Sequence, residues 1–185
     1  MRIIAGKFRG KALQPPADQS IRPTADRVRE AIFSMLTSRI GSFEGKRVLD
    51  LFAGTGAMGL EALSRGAAHV VFVDTGAEAR GLIRDHIEAF GAGGVARLLR
   101  RDATALGPAG TLGPFDVVFL DPPYGKGLGE QALVALRDGN WLNQDATLVL
   151  EESTEVEVTP PAGFTVEDRR VYGAAAVHLL SCALE

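Results

Sequence analysis

From residue 46 onward the chain alternates short apolar runs, rich in Val, Leu and Phe, with longer stretches whose apolar residues recur at helical spacing. The runs are Val48-Leu49-Asp50-Leu51-Phe52, Val70-Val71-Phe72-Val73-Asp74, residues 95–100, Phe115-Asp116-Val117-Val118-Phe119-Leu120 and Thr147-Leu148-Val149-Leu150. Strands that are apolar almost throughout need cover on both faces, and intervening helices supply it, so the pattern predicts a parallel sheet between helical layers. Helices are expected over 58–64, 77–90 and 130–137, with Gly66 in the left-handed position that ends the first. Two further runs, 165–171 and 176–182, flank a Tyr172-Gly173 turn too tight for a crossover and must pair antiparallel. The expected fold is therefore α/β, a doubly wound and mostly parallel sheet with an antiparallel C-terminal edge.

The first 41 residues read differently. Gly6 and Gly10 punctuate a short hairpin or arm over 1–14, which Pro15-Pro16 ends. Thr24 is expected to cap a helix over 24–38, with Asp26 in its positive first turn and Val28, Ala31, Ile32, Met35 and Leu36 on one face. The chain is thus expected to divide into an extension, 1–41, and a larger domain, 42–185.

A net charge of −3 argues against a polyanionic partner. Its distribution argues the other way. Residues 1–47 hold ten of the twenty Lys and Arg but only four acids, so this quarter carries +6 and the remainder −9. Attraction to phosphate decays within about 8–10 Å in physiological salt, so local charge decides. Arg2, Lys7, Arg9, Lys11, Arg22, Arg27 and Arg29 are the candidate RNA contacts, against the plainer reading of a solvated, charged extension. No apolar run approaches the roughly 18 residues of a membrane-spanning helix, and charge interrupts the N-terminus too early for a signal peptide. The single cysteine, Cys182, permits no intrachain disulfide and is most simply a core residue. His69, His86 and His178 are too scattered to suggest a metal site. A cytoplasmic monomer is expected, with neither membrane nor metal among its partners.

Ligands of doubly wound sheets bind beyond the C-terminal ends of the strands. Four of those ends carry specific chemistry here. The first leads into Asp50-Leu51-Phe52-Ala53-Gly54-Thr55-Gly56-Ala57-Met58-Gly59, a glycine turn that lets the backbone approach a ligand and presents N–H groups at a helix start. Asp74 ends the second, where a carboxylate can accept both hydroxyls of a ribose. Asp102 ends the third, placed to meet an adenine amino group. Glycines at this spacing with Asp74 also match a dinucleotide fingerprint, so a dehydrogenase stays open at this point.

The fourth strand ends in Asp121-Pro122-Pro123-Tyr124. Two prolines remove two backbone donors and stiffen the turn. A carboxylate and a carbonyl can then hold both hydrogens of a planar amino group, while Tyr124 offers a ring on which a flipped base can stack for about 1–3 kcal/mol. A dehydrogenase has no use for such a loop. A sulfonium methyl is already electrophilic, so an enzyme acting on a base amine has mainly to align nitrogen, carbon and sulfur. As the new bond forms the amine becomes cationic, and Asp121 would bind that state better than the ground state. No cysteine stands near the loop, against the covalent route to pyrimidine carbons.

With these residues in view, the chain resembles the RsmD family, bacterial enzymes that methylate the N2 amine of one guanine in small-subunit (16S) ribosomal RNA. The resemblance rests on Arg2-Ile3-Ile4-Ala5-Gly6-Lys7-Phe8-Arg9-Gly10, on Arg22-Pro23-Thr24-Ala25-Asp26-Arg27-Val28-Arg29-Glu30, on Leu49-Asp50-Leu51-Phe52-Ala53-Gly54-Thr55-Gly56 with Gly59-Leu60-Glu61-Ala62-Leu63-Ser64-Arg65-Gly66, and on Asp121-Pro122-Pro123-Tyr124. It implies a seven-stranded Rossmann-like methyltransferase domain, S-adenosyl-L-methionine as donor, and an N-terminal extension facing ribosomal RNA or the assembled small subunit. It also implies that Asp50, Gly54 and Gly56 line the methionine end of the donor, Asp74 its ribose, and the 121–124 loop the guanine. Phe52, Ala53, Thr55, Thr75 and Ala103 complete the expected cofactor-binding set. Position 74 is Asp where the family favours Glu, a shorter reach with the same charge. Other readings are an adenine-N6 methyltransferase of DNA, a protein-glutamine methyltransferase, or a non-catalytic RNA-binding assembly factor.

Overall fold

The fold is described from a computed structural model, for residues 1–17 and 24–184. Its elements, in chain order, are α1 (Asp26–Ile40), β1 (Arg47–Leu51), α2 (Ala57–Ser64), β2 (His69–Val73), α3 (Ala77–Ala89), β3 (Ala96–Leu99), β4 (Phe115–Leu120), α4 (Leu128–Asp138), β5 (Leu142–Ser153), β6 (Phe164–Tyr172) and β7 (Ala175–Cys182). One seven-stranded sheet runs β3-β2-β1-β4-β5-β7-β6. β1 to β5 are parallel, and β7 lies antiparallel between β5 and β6. Strand order reverses between β1 and β4, which opens a crevice beyond their carboxyl ends.

Alternate residues of the central strands enter two cores, as the period of two requires. Val48, Val70, Phe72, Val117, Phe119 and Val149 pack under α1, α2 and Ile83 of α3. Leu49, Leu51, Val71, Val73, Val118, Leu120, Leu148 and Leu150 pack against Ala132, Leu133 and Leu136 of α4 and against Trp141. Each such side chain, fully buried, contributes about 1.5–3 kcal/mol of burial energy.

β5 begins five residues before the expected 147. The polar Asn143-Gln144-Asp145 stretch reads as loop in sequence, but it sits where the β4–β5 register slips between Phe115 and Val117. Asn143 Nδ2 donates to Asp116 Oδ1 at 2.6 Å there, so the irregularity has its own polar partners. α1 also begins later than expected: Ala25 takes the capping position with no side-chain cap, and Thr24 lies one residue short of it. Cys182, expected in the core, is half-buried, its Sγ 3.6 Å from the Asn143 carbonyl.

The N-terminal segment is a hairpin closed by an Arg2–Ala12 bridge. It docks on the end of α2. Gly6 is there because a Cβ would stand 1.9 Å from the Ser64 carbonyl oxygen, and its φ of +88° disfavours any side chain. That approach lets Lys7 N donate to Ser64 O at 2.9 Å, Phe8 N donate to Ser64 Oγ at 2.9 Å, and Ser64 Oγ donate to Ala5 O at 2.6 Å. Ile3 and Leu13 join the first core.

A buried charge cluster holds this docking. Glu61, 0% exposed, accepts from Ile4 N (2.9 Å), Ala5 N (3.1 Å) and Arg65 Nε (3.0 Å). Arg29, also 0% exposed, faces it with Nε 3.4 Å from Glu61 Oε1. Its Nη2 lies 3.1 Å from Asp26 Oδ1 and bonds the Arg2 carbonyl as well. The sequence places Arg29 among the RNA contacts, and the structure corrects this. Arg29 lies on the apolar face of α1, where a guanidinium persists only if paired, and Glu61 pairs it. Arg2, Lys7, Arg9, Lys11 and Arg27 are exposed. Arg22 lies outside the described residues.

Candidate active site

The crevice between the strand ends is a cleft of about 580 Å³, within the range that holds a nucleoside-sized ligand. Phe52, Gly54, Asp74, Thr75, Asp102, Ala103 and the 121–124 loop line it, so ten of the expected site residues converge there from β1, β2, β3 and β4. Asp50, Ala53, Thr55 and Gly56 are not on its wall.

The glycine turn explains that division. Phe52 follows β1 with φ 54°, a left-handed conformation that costs a bulky residue about 1–3 kcal/mol and commonly marks a functional site. Gly59 lets α2 close onto β2, since a Cβ there would fall 2.4 Å from the Phe72 ring. Behind the turn, Asp50 is 2% exposed and its Oδ2 accepts from Gly59 N at 3.0 Å. Burial pushes its carboxyl up to about 8; the Gly59 N–H opposes this and the Asp74 charge adds to it. Asp50 therefore ties β1 to α2 from beneath. The Thr55 carbonyl meets His86 Nδ1 at 2.9 Å, while His86 Nε2 accepts from Gln14 N at 2.9 Å. That histidine links the exit of the hairpin to the glycine turn, and burial lowers its pKa, which favours the neutral ring these two bonds require.

Asp74 is fixed by two backbone donors, Gly54 N to Oδ2 at 2.9 Å and Gly76 N to Oδ1 at 2.8 Å. Each oxygen retains a lone pair for a ligand hydroxyl. Asp102 Oδ1 accepts from Thr104 N (2.8 Å) and Thr104 Oγ1 (2.7 Å), and these bonds lower its pKa. A ligand's hydrogen bond then falls to Oδ2.

The 121–124 loop lines the same cleft. Tyr124 Oη donates to Glu151 Oε1 at 2.6 Å, and Gly125 N donates to Glu152 Oε1 at 3.0 Å. Both acids lie just before the end of β5, and sequence reading missed them, because a Glu-Glu pair there has no spacing that marks it. Arg101 and Glu78 also line the cleft unforeseen. Arg101 follows an exposed strand end, and Glu78 looks like any acid in a first helical turn. Glu78 Oε1 accepts from Ala17 N at 2.7 Å, so the segment leaving the hairpin runs along α3 back to the cleft. Among the described residues no group of His, Cys, Asp and Glu has the arrangement of a metal site, and no helix is long and apolar enough to cross a membrane.

Comparison with known proteins places the chain among methyltransferase relatives. A family model described as conserved hypothetical protein 95 matches residues 1–181. The Escherichia coli ribosomal RNA small subunit methyltransferase D is 36% identical over 97% of this chain and 88% of its own length. A Bacillus subtilis protein described as a candidate rRNA methyltransferase is 37% identical over 96% of each chain. A solved E. coli structure described as a candidate methyltransferase superposes with a TM-score of 0.83 at 33% identity, covering 100% of this chain and 99% of that one.

Proposed function

The chain belongs to the RsmD family, the conserved hypothetical protein 95 family, and on that premise we propose that it methylates the exocyclic N2 amine of one guanine in 16S ribosomal RNA. The methyl donor in this reading is S-adenosyl-L-methionine. The observation that carries it is the convergence of Gly54, Asp74, Asp102 and the 121–124 loop on one cleft. In this reading Asp74 and Asp102 are the acceptors for a ribose and an adenine, and the 121–124 loop holds the acceptors for an amine.

The donor set fits the cofactor. Asp74, pre-oriented by two N–H groups, takes the ribose hydroxyls, and Asp102 takes the adenine amine. The backbone of the glycine turn meets the amino-acid end, and Asp50 supports that turn from behind. When bound, S-adenosyl-L-methionine supplies an electrophilic sulfonium methyl. Asp121 and a proline carbonyl hold the two amine hydrogens, which turns the nitrogen lone pair toward that methyl. Their hydrogen bonds strengthen as positive charge develops on nitrogen, so the loop stabilises the transition state more than the bound base. Tyr124 stacks on the flipped base and keeps water from that face.

The enzyme acts in this reading as a cytoplasmic monomer, with residues 1–41 as its RNA-facing extension and 42–185 as its methyltransferase domain. The exposed Arg2, Lys7, Arg9, Lys11 and Arg27 meet RNA phosphates. Phe8 packs on Phe90, with ring centroids 5.1 Å apart, just past the end of α3, whereas the start of α3 lines the cleft. Hairpin and cleft are thus separated by roughly 18 Å along the helix, and a substrate touching both must extend well beyond one nucleotide.

Two measurements test the proposal. In calorimetry S-adenosylhomocysteine should bind and NAD should not; binding of NAD alone would overturn the cofactor assignment. Labelled S-adenosyl-L-methionine should transfer its methyl to the rRNA of small subunits lacking the modification. Label appearing on protein, on DNA, or nowhere would overturn the substrate.

A further inference from the structure

The base-binding loop is held from a strand that no motif includes. Leu120 and Leu150 are the last residues at which β4 pairs with β5; beyond them the chain leaves β4 as Asp121, while β5 runs on through Glu151, still paired with Val177 of β7. Glu152 follows, 1% exposed, with its Oε1 accepting from Gly125 N at 3.0 Å and from Ser153 N at 2.7 Å. This anchors the backbone just after Tyr124. The side chain is anchored separately, through the 2.6 Å bond from Tyr124 Oη to Glu151 Oε1. That length is typical of a hydroxyl donating to a carboxylate, about twice as strong as a neutral pair.

We propose that Glu151 is a positioning residue for methyl transfer, acting through Tyr124. The inference rests on the preceding reading of the 121–124 loop as the base site. A phenol has one hydrogen, and donating it to Glu151 fixes where the far end of the ring lies. Glu152 holds the backbone that follows Tyr124 through Gly125, and because a phenol O–H lies in the plane of its ring, an acceptor fixed at Glu151 favours one ring plane. A base stacked on that plane is presented to Asp121 at a set height and tilt, and misplacement of reacting atoms by an ångström is enough to slow transfer severely. A second consequence follows from charge. A phenol donating to a carboxylate is richer in π-electrons, and an amine that turns cationic near an aromatic face is stabilised by them. Both effects act on the rate of transfer from bound RNA, not on binding of the cofactor.

The test is single-turnover methyl transfer at saturating small subunits, with cofactor affinity measured beside it. Glu151→Ala should lower the rate roughly tenfold with unchanged affinity for S-adenosylhomocysteine. Glu151→Gln, which keeps an acceptor oxygen, should recover most of the loss. Tyr124→Phe should lose about as much as Glu151→Ala, and the double variant should be no slower than either single one. A full rate in Glu151→Ala, or losses that multiply in the double variant, would overturn the proposal. If the wild-type chain transfers no methyl, the functional reading fails, and ring-labelled tyrosine still decides the role of Glu151. The chain has two tyrosines, so Tyr172→Phe leaves Tyr124 as the one resonance. Its ring should be restricted in motion and become freely averaging in Glu151→Ala; an unaltered ring would overturn the assignment.

Discussion

Asp50 and Asp121 stand at the ends of neighbouring strands and do opposite things with a carboxyl group. Asp50 is sealed behind the glycine turn, and burial pushes it up to about 8. The folded state therefore keeps a proton that the unfolded chain releases near 3.8. Its contribution to stability is full below that value and is lost as pH rises toward about 8, then levels off. Asp50→Asn keeps an acceptor for Gly59 and cannot ionise. Thermal midpoints taken from pH 5 to pH 9 should fall more steeply for the wild type than for this variant; parallel curves would contradict the buried proton. Asp121, on the cleft wall, is assigned to the amine. Asp121→Ala should remove most turnover with cofactor affinity nearly unchanged, and Asp121→Asn should be intermediate, as measured by methyl transfer and calorimetry. Asp74→Ala should weaken cofactor binding, since charged acceptors contribute roughly 1.5–3 kcal/mol per hydrogen bond.

Among the elements, the hairpin, α1 and α2 meet at Glu61 and Arg29. Removing either partner leaves the other charge buried with only its second ion pair, Arg29 with Asp26 or Glu61 with Arg65, at a cost of up to about 3–5 kcal/mol. Urea unfolding should show that loss for Glu61→Ala, which also deprives Ile4 N and Ala5 N of their acceptor. A loss below about 1 kcal/mol would mean that the pair contributes little. Gly6→Ala should undock the hairpin with a smaller effect on the sheet. Sequence patterning made the elements legible to within a few residues, because strand period, glycine turns and prolines act locally. It misread Arg29 because a charged residue on an apolar helix face is interpretable only once its partner is known, and Glu61 lies 32 residues away. The same limit hid Glu151 and Glu152, whose roles depend on β5 lying beside β4. Phe52 gave no warning either, since a left-handed φ leaves no mark in sequence unless glycine occupies it.

Across the whole molecule, charge is separated: residues 1–47 carry +6 and the remainder −9. In the proposed reading the exposed cations of the extension, Arg2, Lys7, Arg9, Lys11 and Arg27, supply the attraction for RNA phosphates outside the cleft. Replacing Lys7, Arg9 and Lys11 together by Ala should weaken RNA binding and flatten the slope of log K against log salt by about 0.7–0.9 for each phosphate no longer neutralised. Turnover at saturating RNA should change little. An unaltered affinity and slope would make the hairpin a structural brace alone. The cleft was legible in sequence where its chemistry sits at strand ends, as with Asp74, Asp102 and the 121–124 loop. It was illegible where the backbone hides a residue, as with Asp50. A single cleft is thus assigned both the methyl donor and the guanine amine. The most direct measurement is nucleoside analysis of 16S rRNA after reaction with labelled S-adenosyl-L-methionine. All label should elute as N2-methylguanosine from a single position, and most of it should vanish with Asp121→Ala; label in N6-methyladenosine, or an undiminished yield from that variant, would contradict the assignment.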